Sequence, residues 1–254
     1  MSDYQFYDTV AETRWGKYLT GVEKDVILGA QQLCGTPTVA LDIGAAGGRW
    51  SELLAEQGWE IICTDINPSS LERCRERVPR ARCIRADPDD TTLPCTPESV
   101  GLLLCVEVFQ VIPTAWFISE ASRTVKPNGL IVGVFNNKLS WRGYIHHLLS
   151  VAFNRFDYYG TSYHRWRREL RRAGFQMLRE EGLCWFPFSR TSNSPLVSLC
   201  TTVESRIGLR HLAVVSPWIV FAAQKDTKGM PYPPGEDGGG TRANLPRSQV
   251  LVRE

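Results

Sequence analysis

Asp42, Gly44, Ala46 and Gly48 alternate with other residues in the stretch VALDIGAAGGRWSELL, residues 39–54, where an apolar run breaks into a small-residue turn and resumes as a helical pattern. A strand, a tight turn and a helix N-terminus in that order offer backbone N–H groups and a positive dipole end to a ligand. The chemistry is that of a cradle for a nucleotide-like molecule. A dinucleotide dehydrogenase would need G-x-G-x-x-G and a triphosphate loop G-x-x-x-x-G-K-[ST]; neither spacing is met. Histidine is the side chain suited to proton transfer near neutral pH, and there are four, at 146, 147, 164 and 211.

The remaining reactive residues exclude more than they suggest. Eight cysteines (34, 63, 74, 83, 95, 105, 184 and 200) show no CxxC and no Cys/His cluster in sequence. That spacing suggests reduced thiols, with no metal site and no disulfide framework. The formal charge of +2 lacks the excess of Lys and Arg expected of a dedicated nucleic-acid binder. In HRWRRELRRAGF, Arg165, Arg168, Arg171 and Arg172 share one helical face while Trp166 and Leu170 turn inward, so the run reads first as a solvated face. The N-terminus has no apolar signal core, and no run of about 18 apolar residues occurs. The expectation is a soluble cytoplasmic protein with no membrane partner.

The elements that must position these residues alternate between strand and helix. Residues 5–33 carry Phe6, Val10, Trp15, Leu19, Val22 and Val26 at helical spacing, which predicts an N-terminal helical segment. TVALDIG, WEIICTDI, ARCIRADP, SVGLLLCVEV and LIVGVF read as strands. Residues 49–57, NPSSLERCRERV and TAWFISEASRTV read as helices, with Asn67 and Pro68 as a helix start. KPNG reads as a turn before the fifth strand. Later segments give a helix to Gly174, a strand from Phe175, a helical SLCTTVESRIGLRHL and a last strand PWIVFAAQK. This order predicts an α/β fold with a parallel sheet and helices on both faces. Residues 226–254 are rich in Gly, Pro and polar residues without periodicity, and read as a disordered tail.

The glycine turn resembles the first motif of class I S-adenosylmethionine-dependent methyltransferases, D-x-G-x-G-x-G, with Ala46 replacing the middle glycine. Further stretches follow in register: ICTDINPSSL, CIRADPDDTTLP, SVGLLLCVEVFQVIP and TVKPNGLIVGVF, the last with Asn128 in place of a glycine. The resemblance covers residues 38–135 of one domain, residues 1–225. It implies a Rossmann-like, doubly wound, mostly parallel seven-stranded sheet with an antiparallel last strand, plus an N-terminal helical cap over 1–35. It implies S-adenosyl-L-methionine as cofactor, giving S-adenosyl-L-homocysteine, held by Asp42, Gly44, Ala45, Ala46, Gly48, Asp65, Ile66, Ala86, Asp87, Pro88 and Cys105, with Arg14 for the methionyl carboxylate. Asp65 would accept both ribose hydroxyls, as a bidentate carboxylate can, and Asp87 the adenine amino group.

The same resemblance places the acceptor pocket among the N-terminal helix, residues 136–164 and the late helix, where Tyr7, Trp15, Tyr18, Trp141, Tyr144 and Tyr159 fall. FDYYGTSYHRW is poor helix material and would serve as a lid. His146, His147 and His164 are the candidate bases, while His211 reads as structural. Val100-Gly101 and Val111 stand where many relatives carry an aspartate and a histidine, so no base is placed beside the fourth strand. Glu107 matches a glutamate common after that strand. The expected partner is a small-molecule hydroxyl or amine, with nucleic acid disfavoured and a homodimer allowed. An RNA methyltransferase, a cofactor-binding protein without turnover and an NAD-dependent oxidoreductase are the alternatives.

Overall fold

The computed structural model describes residues 3–154 and 156–227, with side chains from residue 8 onward. The side chains of Phe6 and Tyr7, and the expected tail from residue 228 on, lie outside the described residues.

The N-terminal helical segment is two helices, α1 (Asp3–Glu12) and α2 (Arg14–Leu33). Thr13 makes the break. Its hydroxyl donates to the Val10 carbonyl at 2.7 Å and accepts the Gly16 N–H at 3.0 Å, closing one helix and capping the next. A Cβ at Gly16 would lie 1.8 Å from the Val10 carbonyl oxygen, so the corner requires glycine. α2 then buries Trp15, Leu19, Val22, Val26, Ile27 and Ala30, a stripe at three- and four-residue spacing.

Seven strands follow: β1 (Val39–Ile43), β2 (Glu60–Asp65), β3 (Arg82–Arg85), β4 (Val100–Cys105), β5 (Val125–Asn136), β6 (Phe175–Leu183) and β7 (Trp218–Lys225). They form one sheet in the order β3-β2-β1-β4-β5-β7-β6. β1 to β5 pair in parallel, while β7 runs antiparallel to both β5 and β6, so the last strand in sequence is inserted between its two neighbours. Every β4 residue is buried because helices cover both faces. On one face lie α2, α3 (Arg49–Glu56) and α4 (Pro68–Arg77), with Trp50, Leu54 and Leu71 in the core. On the other lie α5 (Ala115–Thr124) and α7 (Tyr163–Arg172), with Phe117, Ile118, Tyr163, Trp166 and Leu170. Burial of each such aliphatic or aromatic side chain contributes about 1.5–3 kcal/mol. The doubly wound architecture expected from sequence is the one observed.

Four segments differ from expectation. α5 stops at Thr124 and the chain turns extended at once, so Lys126 to Gly129 belong to β5, with Asn128 at φ 63° as a kink. Residues 141–153 form a helix, α6 (Trp141–Phe153), capped by the Ser140 hydroxyl on the Gly143 N–H. His164, Arg165 and Trp166 belong to α7, so only the part of FDYYGTSYHRW before Tyr163 is loop. The late helix, α8 (Leu196–Arg206), ends before a separate 3₁₀ turn at Leu209–His211.

Strand order reverses at β1, which lies between β2 and β4. The loops leaving β1 and β4 therefore part, and a crevice opens at their carboxyl ends.

Candidate active site

The glycine loop leaves β1 through Gly44 at φ 64°, Ala46 at φ 47° and Gly48 at φ 77°. A Cβ on Gly44 would lie 2.6 Å from Val108 Cγ2, and one on Gly48 2.7 Å from Cys74 Sγ, so neither position admits a side chain. Gly48 is the N-cap of α3, whose first N–H groups point into the loop. Asp65, at the end of β2, is clamped beside it. One carboxylate oxygen accepts the Ala46 N–H at 2.8 Å and the other accepts the Asn67 N–H at 2.8 Å. A carboxylate oxygen so engaged keeps acceptor capacity for a ligand hydroxyl.

Neighbouring candidates arrange around that clamp. Ile66 is exposed beside Asp65, and the Ala86 N–H donates to the Asp65 carbonyl at 3.0 Å, which brings the end of β3 alongside. Asp87 and Pro88 are exposed there, with Asp87 Oδ1 accepting the Asp89 N–H at 2.9 Å. Asp42 and Cys105 are buried beneath the loop. Asp42 accepts the Ser51 hydroxyl at 2.7 Å, so in this structure its partner is α3 and not the open loop. Burial pushes the Asp42 carboxyl up to about 7, against the Ser51 hydrogen bond and with the help of the Asp65 charge.

A cleft on the other side of the loop holds four charged residues that sequence spacing did not bring together. Glu23 from α2, Arg49 from α3, Glu107 after β4 and Arg190 line it with Thr20. Arg190 pairs with Glu107 at 3.0 Å, and Arg49 donates to the Thr20 hydroxyl at 3.2 Å. Burial first, and then the Glu107 charge, hold the Glu23 carboxyl well above the usual carboxylate range. Among the described residues Glu23 Oε1 and Arg49 Nε are buried without a hydrogen-bond partner, an acceptor and a donor that a polar ligand could satisfy. Arg14 stands exposed at the start of α2, where its backbone N–H meets Asn193 Oδ1 at 3.0 Å, and it does not line the cleft.

Residues 41–133 match the family model of a methyltransferase domain. Over those residues the chain carries a methyltransferase domain, and its fold is that of S-adenosylmethionine-dependent methyltransferases. Among curated proteins, an uncharacterized methyltransferase-like protein of Schizosaccharomyces pombe is 31% identical over 170 residues, 66% of this chain and 60% of the relative. An uncharacterized methyltransferase of Mycobacterium tuberculosis is 25% identical over 108 residues, 42% of this chain and 44% of the relative. The chain thus spans about 60% of the first relative's length and under half of the second's. Among solved structures, geranyl diphosphate C-methyltransferase from Streptomyces coelicolor shares the fold at TM-score 0.57 and 13% identity, covering 82% of this chain and 80% of that one. An S-adenosylmethionine-dependent methyltransferase from Mesorhizobium loti does so at 0.52 and 16%, covering 74% and 90%.

The three candidate histidines separate into a pair and a single. His146 and His147, both on α6, place Nδ1 at 3.3 and 2.9 Å from the two oxygens of Asp157. Burial would raise that carboxyl, but hydrogen bonds from His147, the Tyr159 N–H and His146 outweigh it and hold Asp157 below its usual range. Tyr159 lies against His146, with ring centroids 5.1 Å apart, and its hydroxyl accepts from Trp218 Nε1 at 3.0 Å. Trp218 in turn packs on Phe109 at 5.0 Å, and the Arg190 guanidinium sits 4.9 Å over the Trp218 ring. A continuous aromatic wall thus joins the end of β4 to α6. His164 is exposed on α7, where its Nε2 is 3.0 Å from Arg168 Nη2, apart from this wall.

Three cysteines come together in space though not in sequence. The Sγ atoms of Cys63, Cys74 and Cys83 lie within 4.8 Å of one another, and among the described residues they are the group positioned to share a metal ion. Cys63 Sγ is 3.2 Å from Cys74 Sγ and 3.0 Å from Cys83 Sγ. Linear spacing hid this cluster because α4 carries Cys74 back over the adjacent strands β2 and β3. Hydrogen bonding with Cys74 and burial push the Cys63 thiol far up, and Cys74 Sγ packs behind Gly48.

Proposed function

We propose that this methyltransferase domain binds S-adenosylmethionine across the glycine loop and methylates a hydroxyl or amine of a small acceptor, leaving S-adenosylhomocysteine. The observation that carries the reading is the Asp65 clamp, a carboxylate fixed by Ala46 and Asn67 at the mouth of a loop whose glycines admit no side chain. Asp65 would accept the ribose hydroxyls, while Ile66, Ala86, Asp87 and Pro88 would flank the adenine. Gly44, Ala45, Ala46 and Gly48 would present their backbone to the amino-acid portion. The orphaned Glu23 and Arg49 atoms suit an ammonium and a carboxylate, which moves the carboxylate role from Arg14 to Arg49 and Arg190. The bound cofactor supplies an electrophilic methyl on a good leaving group.

What the chain must add is position and proton transfer. The Phe109–Trp218–Tyr159 wall would hold the acceptor and exclude water, which favours in-line attack. A hydroxyl nucleophile must lose its proton, and His146 or His147, oriented by Asp157, is the base that supplies this. An RNA acceptor is not favoured, because Arg165 and Arg167 on α7 are engaged by Glu169 and Glu180. Calorimetric titration with S-adenosylhomocysteine is the test, on wild type and on Asp65→Ala. Wild-type binding that weakens about a hundredfold in the variant supports the reading, in line with loss of charge-assisted hydrogen bonds. Absence of wild-type binding, or equal binding by both, refutes it.

A further inference from the structure

The helix α6 is built inside out. Its buried residues are Gly143 and Ser150, while its large apolar side chains face solvent: Tyr144 (65% exposed), Ile145, Leu148, Leu149, Val151 (70%) and Phe153 (64%). Scattered exposed apolar residues need no explanation, but a helix that hides its small residues and shows its large ones presents a surface meant to be covered. The apolar character continues across the neighbouring chain. Asn137, just before α6, donates its amide to the Val214 carbonyl at 2.7 Å, which sets exposed Val214 and Val215 beside the helix start. α8, which packs against the 3₁₀ turn preceding them, exposes Leu196, Leu199 and Val203.

Charge decides what covers this face. Residues 136–156 contain no Asp or Glu, and residues 182–225 contain only Glu204, which is fully buried. Lys138, just before α6, and Arg206, in the last turn of α8, are exposed. A second copy or a soluble partner asks only for apolar complementarity. A face whose adjoining acid, Asp157, is paired with His146 and His147, with exposed basic groups beside it and amphipathic aromatics such as Trp141 and Tyr144, matches an anionic lipid surface, where apolar side chains enter the acyl boundary and Lys and Arg meet headgroups. No helix among the described residues is long and apolar enough to cross a membrane, so the contact is one of lying on the surface.

We propose that the α6–α8 face docks the enzyme on an anionic membrane, and that its acceptor is a membrane-borne amphiphile. The second half rests on the methyl-transfer reading above, and geometry links the two. His146 on α6 touches Tyr159, Tyr159 bonds Trp218, and Trp218 packs on Phe109 beside the end of β4, so the membrane-facing helix is also the outer end of the acceptor wall.

The test is co-sedimentation of the full chain with phosphatidylcholine vesicles and with mixed phosphatidylcholine–phosphatidylglycerol vesicles. The variants are Leu148→Glu/Leu149→Glu and, as a control at the opposite end of the sheet, Leu33→Glu. Binding should favour the anionic vesicles and fall with added salt. It should weaken about tenfold or more in the double variant and stay unchanged in the control. Circular dichroism and S-adenosylhomocysteine titration of each variant show that fold and cofactor site are intact. Their failure in the wild type would count against the methyl-transfer reading and not against docking. Sedimentation with neither vesicle overturns the proposal, as does a stable dimer in light scattering that the double variant splits. Methyl transfer confined to water-soluble acceptors overturns its second half.

Discussion

Asp65 is fixed by backbone groups close to it in the chain, Asn67 two residues on and Ala46 nineteen residues back across one strand crossover. The proposed acceptor wall is assembled otherwise: Phe109 meets Trp218, Trp218 bonds Tyr159, and Arg190 reaches back to Glu107. The cofactor end is a product of strand–turn–helix geometry, which any ligand with a ribose and an amino-acid tail can share. The acceptor end is held by side chains from distant segments, and those are free to change without disturbing the turn. On the proposed reading the cofactor is written into the backbone and the acceptor into side-chain packing.

The largest effect expected from that contrast falls on the acceptor end. The double variant His146→Ala/His147→Ala should lower turnover by about 10²–10⁴-fold if a hydroxyl is methylated, with S-adenosylhomocysteine affinity unchanged. Single-turnover kinetics with a saturating acceptor would show it. An unaltered rate would mean that the nucleophile carries no proton to lose, and that the pair serves to pin α6 to the Asp157 loop. Affinity falling together with rate would break the contrast itself, since the two ends would then be one.

The next effect belongs to the cofactor end and is read as stability. Burial raises the Asp42 carboxyl from 3.8 to about 7, so the folded chain binds that proton more tightly than the unfolded chain. The resulting stabilisation is complete below the unfolded value and is lost as pH rises through about 7. Asp42→Asn stays neutral and still accepts from Ser51, so it should gain on wild type by up to about 4 kcal/mol between about pH 5 and about pH 8 in urea unfolding. A constant difference across that range would mean that Asp42 is solvated or otherwise compensated.

The same contrast explains what the sequence could tell. The alternation of strands and helices along the chain and the α3 and α4 starts follow from local rules, period-two and period-3.6 patterns and an Asn-Pro helix start, while the antiparallel last strand and the part given to Asp65 follow from the family resemblance. The Glu23–Glu107–Arg190 cluster, the Cys63–Cys74–Cys83 group and the Trp218–Tyr159 bond join residues from 9 to 167 positions apart, which no local pattern encodes. α6 escaped notice for a related reason. Its apolar residues crowd most of its circumference and give no single buried stripe, so periodicity had little to register. The N-terminal break at Thr13 does carry a local signal, a threonine preceding Gly16 by three residues, the spacing of a helix cap.

The smallest effect tests how far the backbone alone defines the cofactor end. Ala46 replaces the family's middle glycine yet holds φ 47°, a left-handed conformation that an L side chain adopts at a cost of about 1–2 kcal/mol. Its N–H still reaches Asp65, so the loop keeps its shape under strain. Ala46→Gly removes the strain but frees the unfolded chain, so the net stabilisation should be about 0.5–1 kcal/mol in chemical unfolding. S-adenosylhomocysteine affinity should stay within about threefold, because the hydrogen bond is a backbone one. A larger loss of affinity would show that the Ala46 methyl itself touches the cofactor, and that even the loop recognises its ligand partly through a side chain.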